Sequence, residues 1–348
     1  MHFTGTARIL IADPGSNRRE VLFTFPGFVY HTVPSPTGKF VAFVGNVRGE
    51  NHKDERHLFL YDIDRGAYAD VSSPGYYSRA VLTAPIFSPD GSKVFFISRW
   101  STESGEFNVF VCEVADRKTG GFYTEPVEDT PLTLTPDGKE VVAVRRIANR
   151  PGTLEYVAIN IDDNTARSLH RFDSVTKLGP AYFDFSGATL FCDLKPFDIG
   201  SETSMSARGR LVESINLETG EEKTLLDPNS VTYLYQVFTD SQGKLRLLLR
   251  RQEESENEET PLTRIATMLS DGSDFKYLTT TEAKSYFLRP PNNIPHVSPD
   301  NRLLFFYRRD PVFEHEDIWV MKPDGSDPVN ISNTAGYAEG SAGWLVIR

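Results

Sequence analysis

The chain has 348 residues, 39% of them hydrophobic, which is enough for one large all-β domain or two ordinary ones. A formal net charge of -11 disfavours non-specific attachment to nucleic acid or to an anionic membrane surface. No apolar run approaches the ~18 residues of a spanning helix, so no membrane insertion is expected.

In chain order, the N-terminus runs into the strand Ile9 to Ala12 with no cationic stretch followed by a long apolar core, so no export signal and a cytoplasmic location are expected. Asp13-Pro14-Gly15-Ser16-Asn17 makes a turn, and Glu20 to Phe25 forms a second strand that Pro26-Gly27 ends. From Tyr30 a four-strand unit begins, with Ser35-Pro36-Thr37-Gly38 at its first turn, then Phe40 to Val44, His57 to Asp62 and Ala67 to Val71. The second unit states the pattern most clearly. Ser88-Pro89-Asp90-Gly91 supplies a side-chain oxygen, a fixed φ and a position that tolerates φ > 0, and Val94 to Ile97 is aromatic and β-branched. Phe107 to Val114 and Gly121 to Thr124 complete it.

The third unit turns at Thr135-Pro136-Asp137-Gly138 and the fourth, degenerate, at Asp184-Phe185-Ser186-Gly187, with a long irregular loop over Pro196 to Arg208. The fifth turns at Asp240-Ser241-Gln242-Gly243 and carries an acidic excursion, Glu253 to Glu259, which reads as a solvated loop. The sixth turns at Ser298-Pro299-Asp300-Asn301, and Tyr337 to Arg348 supplies a last partial unit. Turns recurring every ~42 to 58 residues fit four-stranded propeller blades. The expectation is all-β: a single β-propeller of four-stranded antiparallel blades spanning residues 1–348. Six units and two split halves make seven blades, or six if the degenerate unit is miscounted. Residues 7 to 25 would pair with 337 to 348 and close the ring without exposed sheet edges. Cys112 and Cys192, each in an apolar strand-like run, are expected as buried, reduced, unpaired thiols.

Phe87-Ser88-Pro89-Asp90-Gly91-Ser92-Lys93-Val94-Phe95-Phe96 and Asp317-Ile318-Trp319-Val320-Met321-Lys322-Pro323-Asp324-Gly325 resemble the two halves of the WD40-like (PD40) repeat of TolB-type β-propellers. The likeness spans nearly the whole chain. It implies a platform for binding, specific for fold and not for activity.

Chemistry is expected where first strands begin and second strands end. A basic residue follows the second strand in nearly every unit: Arg48, Arg99, Arg145 with Arg146, Lys195, Arg250 with Arg251, and Arg308 with Arg309. Arg48, Arg99, Arg146, Lys195, Arg251 and Arg308 together would present a basic ring to an anionic ligand. Tyr182, Tyr235 and Gln236, near the starts of first strands, would line the mouth of the channel. His31, His296 and Glu339 are candidates for acid–base chemistry, and His296 for a metal ligand. Two functions follow. The first is a non-catalytic binding module that takes a protein or anionic ligand on the top face of the channel. The second is a metal-assisted lyase on an acidic oligosaccharide, as a resemblance to propeller-fold oligogalacturonate lyases implies, with a divalent cation as its cofactor. No complete catalytic motif, phosphate-cradling glycine loop or nucleic-acid motif is present.

Overall fold

The computed structural model describes residues 6–16, 18–48, 54–72, 83–99, 106–196, 210–226, 231–253, 262–279, 295–309, 316–332 and 344. Strands β1 (Ala7–Asp13) and β2 (Arg18–Phe25) form a two-stranded antiparallel sheet. The first blade is β3 (Val29–Pro34), β4 (Phe40–Arg48), β5 (Asp54–Asp62) and β6 (Ala67–Asp70), and the second is β7 (Ile86–Phe87), β8 (Lys93–Arg99), β9 (Phe107–Glu113) and β10 (Lys118–Val127). The third is β11 (Thr133–Leu134), β12 (Glu140–Arg146), β13 (Leu154–Asn160) and β14 (Ala166–Phe172). The fourth has β15 (Val175–Leu178), β16 (Tyr182–Phe183), β17 (Thr189–Pro196), β18 (Leu211–Asn216) and β19 (Glu222–Leu226). The fifth is β20 (Val231–Thr239), β21 (Leu245–Glu253), β22 (Leu262–Leu269) and β23 (Lys276–Tyr277), and the sixth β24 (His296–Val297), β25 (Leu304–Arg309), β26 (Glu316–Met321) and β27 (Val329–Asn330). Each blade is an antiparallel meander, and no helix occurs among the described residues.

Each meander starts from its turn. In the second blade Ser88 Oγ accepts the Lys93 N–H at 2.9 Å and donates to Asp90 Oδ1 at 2.6 Å, while Asp90 Oδ1 also accepts the Ser92 N–H at 3.0 Å. These bonds hold the Asp90 carboxyl down to about 2, the Ser88 hydroxyl first among them. Gly91 takes φ 72° behind them. Thr135 with Asp137 and Ser298 with Asp300 repeat the arrangement, and Asp184 and Asp240 replace the hydroxyl by a carboxylate in the fourth and fifth blades.

The core lies on the second and third strands, which are apolar on both faces because each sheet is covered on both sides. Fourth strands such as β14, polar and largely exposed, form the rim. The chain divides into two compact units, Met1–Leu132 with Pro291–Asn293 and Glu339–Arg348, and Thr133–Pro290 with Ile294–Ala338. In the first, Phe23 and Phe25 of β2 pack on Phe43, Phe59 and Tyr61 of the first blade. Gly45 permits this, since a Cβ there would stand 2.7 Å from the Phe25 ring. In the second unit, apolar clusters join the third blade to the fourth, the fourth to the fifth, and the fifth to the sixth.

Two features depart from the sequence reading. The first strand of the fourth blade is split into β15 and β16, both paired with β17, because Gly179-Pro180 interrupts it. The β20 strand is long, and its register shifts between Leu234 and Gln236. The described residues hold six blades and the β1–β2 pair, while the expected partner of that pair, 337 to 348, lies outside them except for Trp344. Cys112 and Cys192 are free and fully buried, as expected.

Two outcomes are expected. Phe43→Ala should cost about 3–5 kcal/mol in urea unfolding, because it empties the site on which Phe23, Phe25 and Phe59 meet; a loss below ~1 kcal/mol would refute that packing. Burial raises both thiols, so the native protein should react with neither cysteine and the denatured protein with both. Rapid native labelling of either would contradict it.

Candidate functional site

The basic residues that end the second strands have different fates. Arg145 is consumed: its Nε donates to Glu155 Oε1 at 2.8 Å, and Ser168 Oγ donates to Oε2 at 2.9 Å of that fully buried carboxylate. Arg146 beside it is exposed, and so is Lys195, which stands opposite Lys177 on β15. Arg251 is half-buried with its guanidinium 5.2 Å from the Phe275 ring centre. Arg48, Arg99 and Arg308 hold strand positions at the ends of β4, β8 and β25, and their side chains lie outside the described residues.

Charge gathers between the fourth and fifth blades. Asp193, in the apolar strand β17, is 1% exposed. Its Oδ1 accepts the Leu234 N–H of β20 at 3.2 Å, and its Oδ2 lies 2.7 Å from Arg210 Nη1 without hydrogen-bond alignment. Gly179 makes room, since a Cβ there would stand 2.2 Å from Asp193 Oδ1, and the Tyr156 hydroxyl donates to the Gly179 carbonyl at 2.7 Å. Arg210 is set against β20 by a backbone bridge to Val231. Its guanidinium lies 4.6 Å from the Tyr233 ring centre, and that of Arg250, 2% exposed, lies 4.3 Å from the same ring and 5.8 Å from Tyr235.

Burial raises the Asp193 pKa, and Arg210, the Leu234 N–H, Arg250 and Lys177 oppose the rise. Three cations thus act on one buried carboxylate. Burial also raises the phenol of Tyr182 and pushes that of Tyr235 up to about 12, with Asp193 adding to both, so both phenols are neutral hydrogen-bonding groups at neutral pH. Tyr182 and Tyr235 lie beside this junction, within the influence of Asp193. Gln236 instead ties the fifth blade to the sixth: Oε1 accepts the Val297 N–H at 2.8 Å and Nε2 donates to its carbonyl at 3.5 Å.

The candidate acid–base residues His31 and His296 lie in different compact units. Burial pushes His296, against Phe305 at 5.6 Å, down to about 4. His31 belongs to the other unit, is 5% exposed, and has a buried Nε2 without a hydrogen-bond partner among the described residues. Burial, aided by Arg56 stacked 4.1 Å above Tyr30, lowers it to about 4 as well. Glu339 lies outside the described residues. Among the described residues no three His, Cys, Asp or Glu side chains gather as a metal site. Sequence reasoning missed Asp193, Lys177 and Arg210 as site residues. A lone acid inside the apolar run Thr189 to Leu194 was the signal available; Arg210, after a long loop, had none.

No protein-family profile matches the sequence, and no curated protein does. Solved structures do match. The β-propeller domain of the Trilobed protease from Pyrococcus furiosus is 12% identical over 87% of this chain and 82% of its own, with a TM-score of 0.56. This chain is a β-propeller. Oligogalacturonate lyase from Vibrio parahaemolyticus is 10% identical over 97% of this propeller and 88% of its own chain, with a TM-score of 0.59. TolB from Acinetobacter baumannii is 18% identical over 76% of the propeller, which spans 57% of that TolB chain, with a TM-score of 0.48. At such identities the likeness is one of fold.

His31 gives a pH test. Its folded pKa lies below the unfolded value, so the stability it contributes is complete above pH ~6.5 and is lost as pH falls towards ~4, by up to about 3 kcal/mol. Urea unfolding at stepped pH should show that loss in the wild type and a flatter profile in His31→Gln; equal slopes would place the pH dependence elsewhere.

Proposed function

We propose that this propeller is a non-catalytic binding module for an anionic ligand, which it takes at the junction of the fourth and fifth blades, at the end where the first strands begin. One observation carries the reading: three cations, Arg210, Arg250 and Lys177, act on the single buried carboxylate of Asp193, which gathers positive charge at the junction of an acidic protein. Tyr233 holds the two guanidiniums by their faces, and a guanidinium suits bidentate recognition of carboxylate, sulfate or phosphate. Their burial strengthens attraction to an entering anion, and Asp193 orients Arg210 without neutralising the group. An acidic segment of a protein or an acidic oligosaccharide suits such a site.

The second reading, a metal-assisted lyase on an acidic oligosaccharide, is favoured by the fold likeness to oligogalacturonate lyase over nearly the whole chain. The same arginines would hold its carboxylates. Among the described residues, no three His, Cys, Asp or Glu side chains form a ligand set for its metal.

The test is direct. Arg210→Gln and Lys177→Glu should each weaken binding of a glutamate-rich peptide or an oligogalacturonate by about tenfold or more and flatten its salt dependence, with the melting temperature nearly unchanged. Binding that ignores both substitutions sinks the proposal. An unsaturated, ultraviolet-absorbing product from the oligogalacturonate would decide for the lyase.

A further inference from the structure

The first and second blades meet in one apolar cluster, to which Val44 and Leu58 of the first and Phe96 and Phe110 of the second belong. Towards the end where the first strands begin, the same rows turn polar. Two residues beyond Val44 stands Asn46, paired with Arg56 on β5, and two beyond Phe96 stands Ser98, paired with Asn108 on β9. Side chains two apart on a strand share a face, so Asn46, Arg56, Ser98 and Asn108 continue the walls that the apolar cluster begins. His31, paired with Val44, belongs to the same wall, and Thr83 precedes Phe87 of the cluster by four residues. Tyr30 packs against the cluster, with the Arg56 guanidinium 4.1 Å from its ring centre.

These polar groups are not equally satisfied. Asn108 Nδ2 donates to the Thr124 carbonyl at 2.8 Å, and Asn46 Nδ2 lies 3.5 Å from the Tyr30 hydroxyl. His31 Nε2, Asn46 Oδ1, Thr83 Oγ1 and Ser98 Oγ, by contrast, are buried and have no hydrogen-bond partner among the described residues. All four side chains belong to residues more than nine-tenths buried. A polar atom left in that state costs about 1–3 kcal/mol. One such atom can be a local irregularity; four at a single blade junction form a hydrogen-bonding surface.

The chemistry of these atoms selects what would bond to them. Asn46 Oδ1 only accepts, the two hydroxyls donate and accept, and the imidazole of His31, which burial and then Arg56 push down to about 4, is neutral at neutral pH. A carboxylate offers only lone pairs, so Asn46 Oδ1 would repel it. A ligand hydroxyl donates and accepts, so it can serve each of the four, and its lone pairs also suit Arg56. We propose that the junction of the first and second blades binds a neutral, hydroxyl-rich small molecule, a sugar ring or a linear polyol, whose hydroxyls bond to His31 Nε2, Asn46 Oδ1, Thr83 Oγ1 and Ser98 Oγ. The proposal does not rest on the anion-binding reading, because its residues are different ones and lie in the other compact unit. The binding is non-covalent and transfers no group.

The experiment follows the His31 imidazole by nitrogen-detected magnetic resonance in the full-length protein while glucose, inositol or sorbitol is added. At least one of them should shift the His31 signals saturably, and a response to the rings or to the chain alone identifies which source fits. Ser98→Ala and Asn46→Leu each remove one bonding atom. Affinity should fall by about fivefold or more in either variant, whereas the melting temperature should hold or rise, since a buried unpartnered atom has gone. Acetate should leave the His31 signals in place. If none of the three polyols moves them, or if acetate moves them as strongly, the proposal fails. If a polyol binds and neither substitution weakens it, the assignment to these atoms falls. Lower melting temperatures in both variants, with no response to any polyol, would assign the four atoms to internal water and overturn the ligand.

Discussion

The side-chain lock inside each first turn is the constraint on which the rest of this protein depends. Ser88 Oγ accepts one backbone N–H and donates to Asp90, and Asp90 accepts another, so the polar groups of a sharp reversal are satisfied without a neighbouring sheet. A turn fixed in this way fixes register. Because side chains alternate, a slip of one residue would exchange the two faces of the strand that follows, and Val94 and Phe96 would trade places with Phe95 and Ile97. The basic residues at the far end of that strand are aimed by the same register. The lock at one end of a blade therefore decides which face of the sheet a cation serves at the other.

Most of the fold was legible because that lock has a sequence signature. Ser-Pro-Asp-Gly and its variants, followed by an apolar run, located the first turns of all six blades. The degenerate fourth turn was still readable, since Asp184 performs the task of the missing hydroxyl. What could not be read was the interruption at Gly179-Pro180. A glycine there looks like a loop residue, and its purpose appears only when Asp193 is found where a Cβ would have to be. The site was less legible for the same reason. Basic residues after second strands were visible, yet adjacent members of one pair meet opposite fates: Arg145 is spent on Glu155, and Arg146 reaches solvent. Alternation says that the two differ; only cross-strand partners say which one is neutralised.

Electrostatics separates two buried carboxylates here. Glu155 lies fully buried, yet its pKa is lowered although burial is the largest influence and raises it, because the hydrogen bonds of Arg145 and Ser168 with the charges of Arg145 and Arg171 together outweigh it. That acid is matched to its cations. Asp193 is the reverse case: burial prevails, the pKa is raised, and cations from three segments of chain stand around it. Stacking on Tyr233 keeps the Arg210 and Arg250 guanidiniums in place without cancelling their charge.

Repetition within the chain supplies its own control. Where six blades share one plan, a residue common to them speaks for stability, and a departure confined to one blade asks for a separate cause. The Arg145–Glu155 pair and the register positions of Arg308 with Asp317 and Arg309 with Glu316 set acids opposite cations in two blades, whereas Arg99 stands opposite Phe107 and Arg146 opposite Leu154. In the fifth blade Arg250 stands opposite Ile265 and Arg251 opposite Arg264, so the repeat does not fix the cross-strand partner at this end of the sheet. Four guanidiniums, those of Arg210, Arg250, Arg251 and Arg264, are there held against aromatic rings, so that stacking on Tyr233, Phe275 and Tyr277 does at this end of the fifth blade what a cross-strand carboxylate does for Arg145 in the third.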